Sequence, residues 1–155
     1  MMADPAARRS RNWSRFVAIV ALYGLLGPLV GALGVNALFT LLAIGGEVAQ
    51  GRFGDLVRLL VGGLVVGMIY STIVAYALGS ASAVAVGLAV AIGDRSQGRI
   101  SWMIALGSAL VLWLVATALT LFVADEGRVQ WIGAMLVAHL LAAAICTWMA
   151  ARIFR

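Results

Sequence analysis

The chain has 155 residues, enough for one domain; 64% of them are hydrophobic and only 11% are charged. Soluble domains carry roughly 25% charged residues, so this composition, with a mean hydropathy of +1.07, excludes a water-facing globule and predicts an integral membrane protein. The formal net charge of +5 comes from 11 basic residues, all arginine, and six acids. Because the arginines flank apolar runs, they indicate membrane orientation and not a nucleic-acid partner.

Residues 1–15 contain four arginines and one aspartate and precede the first apolar run. That run is far longer than the roughly 7–15 apolar residues of a secretory signal, and no clear A-x-A cleavage site follows it. We therefore interpret residues 1–15 as a basic cytoplasmic tail that obeys the positive-inside rule. Residues 16–155 are predicted to form one four-helix transmembrane domain.

The first predicted span covers about residues 16–44. Small residues recur at three- and four-residue intervals, which favours a narrow seam facing one partner helix: Gly24, Gly27, Gly31 and Gly34. Pro28 cannot donate to the carbonyl of Gly24, so a kink is expected there. Asn36 and Thr40 lie four residues apart and should point toward other helices, because an unpaired amide is costly in hydrocarbon.

A connector at residues 45–55 leads into the second predicted span, about residues 56–92, with Asp55 as its N-cap. Every fourth position of this span is small, a ladder typical of close helix packing in membranes: Gly63, Gly67, Ser71, Ala75, Gly79, Ala83, Gly87 and Ala91. Residues four apart drift by about 40° around an α-helix, so Gly63 and Gly79 lie about 160° apart. We expect the two halves of the ladder to touch different neighbours, as in a long, central helix.

The second span is too long for a simple crossing. Its 37 residues would extend roughly 55 Å as an unbroken helix, against a hydrocarbon core of about 30 Å. The first turns, with Arg58, could lie in the interface, the helix could tilt strongly, or it could break at residues 79–82 into a span and a re-entrant piece. The ladder keeps its spacing through Gly79, which favours one continuous helix.

Two further spans complete the predicted bundle. A turn-rich loop at residues 93–99 precedes a third span at about residues 100–123. A second loop, at residues 124–128, contains Asp125 and Glu126, which we interpret as a solvated turn. The fourth span covers about residues 129–153.

The arginine distribution predicts the orientation. With four crossings, eight arginines fall on the side of the two termini and three on the other side, which predicts that both termini are cytoplasmic. Trp13, Trp102 and Trp148 then lie near the inner interface and Trp131 near the outer one, as an aromatic belt requires. The pattern is typical of a multi-pass protein of a bacterial inner membrane.

Chemistry-bearing motifs are absent from the sequence. No Asp, Glu or Arg lies within the core of a predicted span, and ionisable groups there mark proton relays, ion-coupled carriers and voltage sensors. This argues against a pump or a proton-coupled transporter. The chain has no Walker loop and no H-E-x-x-H, C-x-x-C or G-x-S-x-G motif. We therefore predict no catalytic, cofactor-binding or metal-binding residue, no cofactor and no enzymatic activity.

His139 is the one side chain whose chemistry needs weighing. It lies near the middle of the fourth span, about 10 Å from Cys146, too far for the two to share one metal ion. Our first interpretation is a histidine that hydrogen-bonds across helices, to a backbone carbonyl or to a hydroxyl such as those of Ser71, Thr72 or Ser108. A haem or metal ligand completed by another helix or copy, and a position lining a polar pathway, are the alternatives.

The sequence supports three functional hypotheses. The first is a non-enzymatic accessory or scaffold subunit in the lipid bilayer that packs with itself as a homo-oligomer or with a larger membrane protein. The second is a small passive transporter or pore-forming protein, whose polar pathway would be lined by Asn36, Thr40, Ser71, Thr72, Ser80, Ser82 and His139. The third, with the least support, is a membrane enzyme or haem carrier that depends on His139.

Overall fold

The computed structural model describes residues 5–123 and 128–154, and the regular elements there are all helices. Helix α1 spans Pro5–Ala49, α2 spans Leu56–Gln97, α3 spans Trp102–Val123 and α4 spans Arg128–Ile153. Each holds a segment long and apolar enough to cross a membrane. The predicted all-α membrane bundle of four transmembrane helices is therefore confirmed.

Two predicted segments lie partly or wholly outside the described residues. Residues 1–4 of the predicted tail do so, whereas residues 5–15 form the start of α1. Asp125 and Glu126, the acids of the second loop, are also outside the described residues.

Most of the apolar surface of the bundle faces outward. In the most apolar stretch of each helix, at most 33% of the residues are buried within the chain, and in α3 only 11%. A water-soluble bundle would bury such stretches, whereas a membrane protein leaves them against lipid, which is as apolar as the side chains. The outward apolar faces therefore agree with the composition.

Helix α2 is continuous through residues 79–82, as the unbroken ladder predicted, so the re-entrant alternative does not occur. It also continues through residues 93–97, which were expected to lie in a loop. The helix ends at Gly98, which adopts a left-handed conformation (φ 68°) and whose N–H donates to the carbonyl of Asp94. Asp94 and Arg95 are therefore last-turn residues of a helix.

A π-helical turn interrupts the α geometry of α2 at Gly62–Gly67. A π turn contains more residues than an α turn and so changes the rotational phase of the residues after it. The expectation that the two halves of the ladder touch different neighbours is wrong, and the π turn is not the cause, because the stretch of α2 after Gly67 keeps α geometry. Gly63 and Gly67 face α1, and so do Ala83 and Gly87 near the other end of α2.

The four helices run up and down around a square. Helix α1 packs against α2 and α4, and α3 closes the other two sides by packing against α4 and α2. Helices α2 and α4 also touch across the diagonal, so α2 contacts all three of its neighbours. This agrees with a long, central second helix.

The glycine seam of α1 divides between two partners. A Cβ added at Gly24 or Gly27 would meet α2, at Val84 and Ala83, whereas one added at Gly31 would meet Ala138 of α4. A seam facing one partner was expected. The difference arises because α1 sits at a corner of the square, where its glycines approach two helices in turn.

The core lies in one half of the bundle, which we call the closed half. It contains ten of the twelve buried hydrophobic side chains among the described residues, in one cluster: Ile19, Tyr23, Val86, Val90, Ala91, Ala105, Ala109, Ala143, Cys146 and Ala150. We call the other half, around Asn36 and Gly67, the open half. No residue of α2 from Leu56 to Ala85 is buried.

A buried hydrogen-bond chain ties α1 to α4 in the closed half. Thr147 donates its only hydroxyl proton to the carbonyl of Ala143 at 2.5 Å. The Tyr23 hydroxyl lies 2.6 Å from Thr147 Oγ1, so it is the donor to that oxygen. Both polar side chains are thereby satisfied, and a buried polar group left without a partner would be costly.

Candidate functional site

A polar contact in the open half joins α1 to the π turn of α2. The Asn36 amide donates to the carbonyl of Gly63 at 2.9 Å. Cβ atoms added at Gly63 and Gly67 would lie too close to Thr40 and Asn36 respectively, so a larger residue at either position would require these side chains to shift. The expectation that Asn36 and Thr40 face another helix therefore agrees with the contacts.

A cleft of about 550 Å³ opens beside this contact, between the end of α1 and the start of α2. Its inner wall contains the polar side chains of Asn36 and Thr40 and the apolar ring of Phe39. Charged side chains stand at its mouth, and they belong to Glu47, Asp55 and Arg58.

The mouth of the cleft carries both signs of charge. Arg52 forms two hydrogen bonds to the Glu47 carboxylate, at 2.6 and 2.7 Å, on the exposed surface. The hydrogen bonds and the charge of Glu47 raise the pKa of Arg52, so its guanidinium stays protonated. Asp55 precedes α2, as the N-cap prediction requires, but its side chain makes no capping hydrogen bond. The mouth thus shows no large charge excess that would select one ion.

His139 lies in α4 and does not line this cleft. Its Nδ1 lies 2.8 Å from the carbonyl of Met135, one turn earlier in the same helix, and donates to it. The partner is a backbone carbonyl, but not one across a helix interface. Ser71 and Ser108 likewise donate to carbonyls of their own helices. The structure therefore does not bring Asn36 and His139 together.

Two buried polar atoms in the described residues have no hydrogen-bond partner: His139 Nε2 and Thr117 Oγ1. With Nδ1 protonated, Nε2 is a free acceptor. No group of three His, Cys, Asp or Glu side chains that could hold a metal ion occurs among the described residues. Cys146 is packed in the closed half.

The small-residue ladder lacks an internal contact at Gly79. No atom lies within 4 Å of a Cβ added there, in contrast to Gly63, Gly67 and Gly87. Ser71 and Ala75, on the same ladder, are partly buried. Both ends of the ladder pack within the chain, and Gly79 between them faces open space.

The path of α2 explains this opening. Nine residues of α1 separate Gly27 from Asn36, but sixteen residues of α2 separate their contacts, Ala83 and Gly67. At 1.5 Å per residue these stretches measure about 14 Å and about 24 Å. Helix α2 therefore takes the longer path and departs from α1 between the two contacts.

Tyr76 crosses the gap that this departure creates. Its hydroxyl donates to the carbonyl of Leu25, which lies beside the turn that Pro28 deprives of an N–H donor. A partner from another helix was expected for a carbonyl freed by Pro28. Tyr76 bonds the adjacent carbonyl of Leu25 and not the carbonyl of Gly24 that Pro28 frees.

An ion pair that was not predicted from the sequence joins α1 to α2 at the end of the bundle beyond the closed half, which we call the closed end. Arg15 donates to both carboxylate oxygens of Asp94 at 2.7 Å, and Asp94 is only 8% exposed. Asp94 was expected to lie in a loop because residues 93–99 are rich in turn-forming residues. The available signal was the antiparallel pairing of the first two spans, which places the last turn of α2 opposite Arg15.

Comparisons with protein-family models, with curated proteins and with solved structures give no match to this chain. The structural features of the chain that bear on function are a closed half with an internal core, an open half with a mixed-charge cleft, and the small-residue position Gly79, which no other helix of the chain covers.

Proposed function

We propose that this protein is a non-enzymatic accessory or scaffold subunit of a bacterial inner membrane, with both termini cytoplasmic. In this proposal α2 packs against a second copy or a larger membrane protein. The uncovered middle of the ladder, around Gly79, is the observation that supports the proposal most.

Small residues in a membrane helix favour association because they let two backbones approach closely. At the two ends of the ladder this property is used within the chain, where Gly67 and Gly87 meet α1. Around Gly79 the same spacing continues with no internal partner. A neighbouring membrane helix seated there would complete the pattern.

The polar groups of the chain support a structural role. Asn36, Tyr23 and Thr147 are engaged in bonds between helices, and Arg15 pairs with Asp94. These groups stabilise the bundle and are not aimed together into a cavity. A catalytic site requires convergent polar groups beside a substrate pocket.

Native mass spectrometry of the protein, gently extracted from its own membrane, tests this proposal. We expect a complex, either with a second copy or with a larger membrane protein, and we expect Gly79→Leu to dissociate it while the monomer stays folded. Gly107→Leu on α3 is the matched control, because Gly107 also has no atom within 4 Å of an added Cβ. A strictly monomeric wild type, or equal loss of the complex in both variants, would contradict the proposal.

The orientation is tested with single cysteines in a Cys146→Ala background. Ser96→Cys and Gln50→Cys place exposed thiols at opposite ends of α2. With both termini cytoplasmic, a membrane-impermeant reagent applied from outside labels the variant at position 50 only. Labelling at position 96 instead would reverse the orientation.

A small passive transporter or pore-forming protein is the second candidate. The buried, unpartnered His139 Nε2 and the cleft beside Asn36 favour it. Solute flux through reconstituted liposomes that falls in His139→Ala would support it, and His139→Ala is preferable to Asn36→Ala because Asn36 also holds the π turn. Inert liposomes would exclude it.

A further inference from the structure

The closed end of the bundle has an unbalanced positive charge. Asp94 is the only acid described there, since Glu47 and Asp55 lie at the opposite end. Both oxygens of Asp94 are occupied by Arg15. The carboxylate that could attract other cations at this end is therefore already neutralised.

Three more arginines, Arg95, Arg99 and Arg152, lie at the same end and are exposed. Within the described residues, none of them is within salt-bridge distance of a carboxylate. At the opposite end, by contrast, Arg52 is held by Glu47. The closed end thus presents guanidinium groups whose charge no side chain of the described chain offsets.

Two of these guanidinium groups are stacked on tryptophan rings. Arg95 Cζ lies 5.6 Å from the ring centroid of Trp13, and Arg152 Cζ lies 4.5 Å from that of Trp148. The two tryptophans are 54% and 50% exposed, so they face the surroundings of the protein and not its core. Such cation–π contacts fix a guanidinium in place without consuming its N–H donors.

This combination of exposed tryptophan rings and guanidinium groups is suited to binding a lipid headgroup. Tryptophan side chains concentrate at the depth of the headgroups, where one part of the ring is wet and the rest apolar. Arginine presents a planar fork of N–H donors that binds phosphate oxygens in pairs. A stacked Arg–Trp pair therefore holds a phosphate-binding fork at the depth where lipid phosphates lie.

We propose that the closed end binds the headgroups of anionic phospholipids through Arg95 and Arg152, with Trp13 and Trp148 holding the two guanidinium groups at headgroup depth. The charge excess selects an anionic lipid over a zwitterionic one, because each guanidinium near the surface is attracted to net negative charge. The lipid site exists whether or not α2 binds a partner protein.

Tryptophan quenching in reconstituted vesicles tests the proposal. The intact protein is placed in phosphatidylcholine vesicles that contain a fixed minor fraction of either brominated phosphatidylglycerol or brominated phosphatidylcholine. We expect stronger quenching by the anionic lipid. The double variant Arg95→Gln/Arg152→Gln should lower the relative binding constant for phosphatidylglycerol by about 25-fold, about five-fold for each arginine.

Arg58→Gln is the matched control, since it removes an exposed arginine from the other end of α2. It should leave the lipid preference unchanged, and helical circular dichroism should be the same for all variants because the substituted arginines are exposed. Equal quenching by the two lipids in the wild type, or an equal loss in Arg58→Gln, would overturn the proposal. So would displacement of the lipid by excess inorganic phosphate, which would assign the site to a soluble ion.

Discussion

Two stretches of α2 carry the same small-residue spacing in different surroundings. In the closed half, Gly87 lies against Tyr23 and the backbone of Val20, and a core cluster fills the space between all four helices. Farther along α2, before it meets α1 again at Gly67, no atom of the chain lies within 4 Å of a Cβ added at Gly79. A small-residue ladder therefore specifies close approach but does not specify the partner.

The largest expected difference in stability is between substitutions at two ladder positions of α2, Gly87 and Gly79. Gly87→Leu should destabilise the bundle by about 3 kcal/mol, because an added Cβ alone meets Tyr23 and the Val20 backbone, which cannot move aside as a flexible side chain would. Gly79→Leu, with open space around it, should leave the stability of the monomer nearly unchanged. Unfolding in mixed micelles with increasing SDS measures the stability of both variants. Equal destabilisation would contradict the conclusion that Gly87 is packed and Gly79 is open.

The ion pairs of the two ends offer a second comparison. Arg15→Leu should destabilise the bundle by about 2 kcal/mol, because the substitution leaves the buried Asp94 carboxylate without its partner. The loss is smaller than for a fully buried pair because the Arg15 side chain is partly exposed. Arg52→Leu breaks an exposed pair of similar geometry and should cause no measurable change. The same unfolding assay applies. If both variants behaved alike, the burial of Asp94 would have no energetic consequence.

A smaller effect is expected from the buried hydroxyl chain. Thr147→Val keeps the shape of the side chain but leaves the Tyr23 hydroxyl without its acceptor, which should cost about 1.5 kcal/mol. Thr120→Val is the control, because Thr120 donates only to a carbonyl of its own helix. Adding Tyr23→Phe to Thr147→Val should recover part of the loss. No recovery would show that the Tyr23 hydroxyl is satisfied in another way.

The sequence was sufficient for the number of spans, which depends on apolar length, and for the continuity of α2 through residues 79–82, which the unbroken ladder spacing predicted. It was not sufficient for the partners. Gly63 and Gly79 have the same residue type and the same spacing, yet one meets Thr40 and the other meets nothing. Which of them packs depends on the path of α2, and a long-range property of this kind leaves no local signature.

Two further departures have physical causes. The phase argument for the ladder held that one partner cannot follow both ends of α2, whereas α1 meets α2 at Gly67 and again at Gly87, with Gly79 open between the two contacts. The role of Asp94 was hidden because a glycine and an arginine beside it resemble a loop. Its capture by Arg15, 79 positions away, is a contact between helices.

The facing of the cleft also depends on chain length within the π turn. Asp55 and Arg58 precede the turn, and Gly67 at its end is already fixed against Asn36. Deleting a single glycine from Gly62–Gly67 would remove the extra residue that the π turn accommodates, so α geometry would return and Leu56–Val61 would keep nearly the same facing. Inserting a residue in α geometry would instead turn Leu56–Val61 by about 100° relative to the rest of α2. Hydropathy and charge would be almost unaltered, yet Arg58 would swing off the rim of the cleft. The facing of the cleft thus depends on the number of residues and the geometry of this turn, and not on hydropathy or charge.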